Sequence, residues 1–74
     1  METITANERR AAILFKVAMY ATEHGAERHE IDNCVNSALR IFDAGASAAT
    51  SVKAGQIAVS IITADKILAR ISAS

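Results

Sequence analysis

His24, His29 and Cys34 are the side chains best suited to hold a metal, and they fall at spacings of five and five. Two ligands share a helix face at spacings of three or four, as in His-x-x-x-His. A spacing of five turns successive side chains about 140° apart, so these three do not converge. The reading is two surface histidines at a helix junction and a half-buried thiol, with no metal site. A nucleophilic Cys34 would need a thiol pKa lowered by a basic neighbour or a helix N-terminus. It stands two turns into a helix on the apolar side, five residues from His29, and reads as a small core residue. Glu23, Glu27, Glu30 and Asp32 could supply paired carboxylates for acid–base work. Such pairs raise a pKa only in a shared desolvated cleft, and here Arg28 and His29 are interleaved. The three glycines are isolated, and none opens a phosphate loop or dinucleotide motif. No catalytic residue, cofactor or metal is therefore expected.

Arg9, Arg10 and Lys16 form a small basic edge, flanked by Glu8 and Glu23. The whole chain carries eight basic and eight acidic residues. Zero net charge argues against nucleic acid as a partner, because such binders neutralise phosphates with a basic excess. It argues against a polybasic membrane-surface binder as well. A single cysteine forms no internal disulfide and points to a reducing, cytoplasmic setting. No basic-then-apolar leader is visible at the start. Lys16 interrupts the apolar stretch from Ala11 to Ala21, and Asp65, Lys66 and Arg70 interrupt that from Ile57 to Ile71, so neither reaches a membrane span.

The elements that must carry these residues are helices. Hydrophobic residues make up 51% of 74, yet 16 of them are alanine, and proline is absent. The pattern predicts an all-α, single helical domain over 1–74, with helices at about 5–24, 27–44 and 47–71. Thr5 and Glu8 have capping-box spacing. Gly25 and Gly45 suit helix ends, and Ser47 suits the N-cap of the third helix. Helices two and three should form an antiparallel hairpin, with helix one packed across them.

Helix one is apolar at ten of the eleven positions from Ala11 to Ala21. Ala11, Leu14, Phe15 and Ala18 form one face; Ile13, Val17 and Tyr20 form another. A helix apolar nearly all round is normally buried on more than one side. In helix two, Ile31, Val35, Ala38 and Phe42 recur at 4-3-4 spacing. In helix three, Ala54, Ile57, Ile61, Ala64, Leu68 and Ile71 repeat at 3-4-3-4-3, the seam of a coiled-coil-like packing. Val59 and Ile62 lie off that seam and call for a second neighbour. Ser47, Ser51 and Gly55 leave room for a helix to approach closely, or for a kink at Gly55.

A domain of this length buries only about 60% of its unfolded surface, and oligomerisation is a common remedy. The sequence therefore predicts a homodimer or larger closed oligomer. Its expected interface, with itself or a partner, is Ile13, Phe15, Val17, Met19, Tyr20, Val59 and Ile62. Arg28, His29, Asp32 and Arg40 offer a polar partner surface. The function expected is non-enzymatic: a small regulator, adaptor or inhibitor that binds a larger protein, of a size found among phage- and mobile-element-encoded proteins. One alternative is a nucleic-acid-binding regulator whose dimer joins Arg9, Arg10 and Lys16 into a patch. The other is a small-ligand binder with a pocket between subunits, rimmed by His24 or Arg28.

Overall fold

The fold follows from three start signals and two turns. In the computed structural model, which describes residues 4–73, α1 spans Ala6–Glu23, α2 Arg28–Asp43 and α3 Ala48–Ser72. All three pack together, and no strand occurs among the described residues. Thr5 caps α1, its hydroxyl accepting the Glu8 N–H at 3.1 Å. Ser47 caps α3 in the same way, accepting from Thr50 N–H at 3.1 Å. At α2 the N-cap is Glu27, whose N–H donates to the Glu30 carboxylate at 2.8 Å, the return arm of a capping box.

The two turns share one design. Gly25 and Gly45 have φ of +76° and +113°, a region that favours glycine. Gly25 N–H donates to Thr22 and Ala26 N–H to Ala21. Gly45 N–H likewise donates to Phe42, and Ala46 N–H to Ile41. Both are Schellman ends, and in each the residue after Gly-Ala is already the N-cap of the next helix.

The core is built from Ile13, Val17 and Ala21 of α1, Cys34, Val35 and Ala38 of α2, and Val59 of α3. Ser51 is also fully buried, and its hydroxyl donates to the Ser47 carbonyl at 2.8 Å; among the described residues no buried side-chain polar atom lacks a partner. The closest approach is at Gly55. A Cβ there would lie 2.5 and 2.9 Å from the two Val17 methyls and 3.2 Å from Ala38 Cβ. Glycine at this position lets α3 sit against α1 and α2 at once, and α3 runs as one helix through it.

Two expectations are corrected here. Ile13, Val17 and Val59, assigned to an interface, are at most 1% exposed within the single chain. The chain covers them itself because small residues, Gly55, Ala38 and Ser51, bring the helix axes close. The seam of α3 is inverted in consequence. Ile57, Ile61, Leu68 and Ile71 are 53–63% exposed, while Ser51, Gly55 and Val59 face inward. Helix three carries apolar side chains on both sides, and the stripe of small residues wins the core.

Ion pairs bind the ends of the helices. Arg10 pairs with Asp43, joining the start of α1 to the end of α2. Lys66 Nζ reaches Glu30 Oε1 at 2.6 Å, joining late α3 to early α2. Glu30 therefore accepts from both the Glu27 N–H and Lys66, and together they hold its pKa below the ordinary glutamate value. A carboxylate with a depressed folded pKa stabilises the fold above its unfolded pKa, and that contribution disappears as pH falls through the folded one. The melting temperature should thus drop below about pH 4, and Glu30→Gln should flatten that drop. An identical acid profile for wild type and Glu30→Gln would show that the pair contributes nothing.

Candidate functional site

Chemistry does not converge at the histidines and the cysteine. His24 lies at the C-cap of α1, its Nδ1 2.8 Å from the Tyr20 carbonyl oxygen and its ring 4.2 Å from the Tyr20 ring. His29 is exposed in the first turn of α2. Cys34 is fully buried, and burial, followed by the nearby Glu30 charge, pushes its thiol pKa up. A thiol raised in this way stays protonated at neutral pH and is a poor nucleophile. Glu27, His29 and Glu30 do bring ligand atoms within 4.8 Å of one another. Helix capping and the ion pair to Lys66 account for the position of Glu30. Glu27 and His29 are themselves 3.6 Å apart and exposed.

The polar surface named from sequence, Arg28, His29, Asp32 and Arg40, is exposed throughout α2. Of the basic edge, Arg10 is committed to Asp43, while Arg9 and Lys16 are exposed. Lys16 lines an open groove between α1 and α3 with Ala12, Ile13, Ala48, Ala49 and Val52. His24 and Arg28 are not part of that groove.

The distinctive feature is apolar surface turned outward. Ten large hydrophobic side chains are exposed among the described residues, and most fall into two stripes. On α1, Leu14, Phe15 and Met19 are 47%, 62% and 48% exposed. With Ala18, Thr22 and Glu23 they line a shallow depression. Phe15 and Met19 lie nearly opposite Val17 at 100° per residue, so packing within the chain leaves them bare. Tyr20 and Ile62, also assigned to the interface, are half-buried against the core.

On α3 the outward stripe is Ile57, Ile61, Ala64, Leu68 and Ile71, with Ala54 half-buried at its start. Ile67 adds to its edge at 48% exposed. From residue 64 to 73 every position is exposed, although Lys66 still reaches Glu30 of α2. The surface of the chain is correspondingly large, 5318 Å². A compact monomer of 7.8 kDa exposes about 4,400 Å². The radius of gyration, 13.9 Å, likewise exceeds the roughly 11 Å expected at this length. Among the described residues, no helix is long and apolar enough to cross a membrane.

Comparison with known protein families, curated proteins and solved structures finds no match for this chain. The site rests on its own geometry.

Proposed function

We propose that the chain is a non-enzymatic protein–protein interaction module, a small cytoplasmic regulator, adaptor or inhibitor that acts by occupying a surface on a larger protein. The observation that supports this reading is the outward apolar stripe of α1. Aromatic and methionine side chains are the usual anchors of protein interfaces, and Phe15 and Met19 stand together there, one turn apart. Full burial of a large apolar side chain is worth about 1.5–3 kcal/mol, and these are only half covered. We read α2 and α3 as an antiparallel hairpin crossed by α1, since Lys66 meets Glu30 and Arg10 meets Asp43. In that arrangement the hairpin holds α1 rigid and presents its outer face.

The test is affinity capture from the source cell with wild type and with Phe15→Glu/Met19→Glu. Both positions are exposed, so the variant keeps its helical circular dichroism. A partner held by wild type and lost by the folded variant is the expected result. Identical captured sets for the two proteins would reject α1 as the binding face.

A further inference from the structure

The α3 stripe has a different geometry from that of α1, and it fits one occupant. We propose that it docks against the same stripe of a second copy, antiparallel, about a two-fold axis between residues 62 and 63. This rests on the reading of the chain as an interaction module and names one partner of it.

The first support is area. The chain exposes about 900 Å² more than a compact monomer of its mass. A standard stable interface takes about 800 Å² from each partner. The excess is comparable in size with one such contact.

The second support is the register. The six positions 54, 57, 61, 64, 68 and 71 alternate by three and four, as coiled-coil seams do. Turned end for end about the point between 62 and 63, the set maps onto itself. Ala54 then meets Ile71 of the second copy, Ile57 meets Leu68, and Ile61 meets Ala64. Each alanine faces a larger side chain, so knobs alternate in size along the seam. A parallel pairing would instead set Ala54 and Ala64 against themselves and leave two thin layers. The flanking positions carry only Lys53 and Asp65, one charge of each sign, so the copies meet without net repulsion.

The third support is the overhang. Residues 64–73 are each exposed, with the Lys66–Glu30 pair as a tie to α2, and a short helical end with little apolar cover is marginal in water. In the antiparallel pair the overhang of each copy lies along residues 54–61 of the other. That segment is fixed by its own three-helix core through Gly55 and Val59. Each core thereby supports the extension of the other copy, and the α1 stripe stays free for the larger partner.

Sedimentation equilibrium from micromolar to millimolar concentration tests the pairing. The expected mass for wild type is that of two chains, and Ile61→Asp/Leu68→Asp should keep its helical signal and give the mass of one. A one-chain mass for wild type at every concentration, an assembly larger than two, or an unchanged dimer in the variant overturns the proposal. Cysteine cross-linking in a Cys34→Ala background tests the register. Ile57→Cys/Leu68→Cys should oxidise to a covalent dimer, while Ile57→Cys alone should not. Efficient linking by Ile57→Cys alone would show a parallel pair and overturn the antiparallel one. None of these outcomes touches the α1 capture experiment, so the two readings can fail separately.

Discussion

Val17→Asp should unfold the protein, whereas Phe15→Asp, two residues away on the same helix, should leave it folded. Val17 is 0% exposed and lies against Gly55 within the apolar core. Burying such a group unpaired costs several kcal/mol. A domain of this length has only about 4–11 kcal/mol of total stability. Phe15 is 62% exposed, and an aspartate there remains in water. Thermal melting followed by circular dichroism decides it: a transition abolished or lowered by tens of degrees for Val17→Asp, and little changed for Phe15→Asp. Equal melting of the two variants would contradict the burial of Val17, and the reverse order would show that the two faces of α1 are swapped.

The second large effect is expected at Gly55. In an exposed helix interior, Gly→Ala stabilises by about 1 kcal/mol. Here the added Cβ would fall 2.5 Å from one Val17 methyl and 2.9 Å from the other. Valine has one strongly preferred χ1 in a helix and cannot swing aside cheaply. Ala38 Cβ, at 3.2 Å, blocks retreat towards α2. Overpacking of this kind costs typically 1–3 kcal/mol, which outweighs the gain in helix propensity. Gly55→Ala should therefore lower the melting temperature by several degrees. In a Val17→Ala background the two methyls are gone, and the same substitution should become neutral or stabilising. A double-mutant cycle measures the coupling directly. Additive effects would mean that α1 and α3 do not meet at Gly55.

Most of the secondary structure was legible because local chemistry dictates it. Thr5, Ser47, Gly25 and Gly45 each satisfy backbone groups within a few residues of themselves, so their roles can be read without knowing the fold. The core face of α2 was legible for a related reason. Charged residues occupy its other side and leave Cys34, Val35 and Ala38 a single place to go. For α1 and α3 periodicity could not choose, because both helices are apolar on opposite sides. The large side chains Ile57, Ile61 and Leu68 made the more regular pattern, yet Ser51, Gly55 and Val59 form the inner face. The deciding signal lay in small residues on facing helices, Gly55 against Ala38 and Val17, and such matching is a tertiary property. The stripe of Ser47, Ser51 and Gly55 did mark the place of close approach.

The candidate surface was half legible. The sequence groups Phe15 and Met19 with Ile13, Val17 and Val59; the first two are exposed and the other three are core. Length alone suggests too little chain to bury α1, and close packing through Gly55 supplies the cover. Surplus apolar surface exists, but it sits on the outer faces of α1 and α3.

In the proposed pair α3 has two working faces, one covered by its own chain and one by the second copy. Amide hydrogen exchange along α3 at high protein concentration tests it most directly. An exposed, unpacked helical end opens at almost no free-energy cost, whereas packed helix exchanges only through larger openings. Slow exchange is expected at the amides of Leu68 to Ile71, comparable with those near Val59, and should be lost in Ile61→Asp/Leu68→Asp. Fast exchange beyond residue 64 in wild type, with protection confined to the segment around Gly55 and Val59, would contradict it.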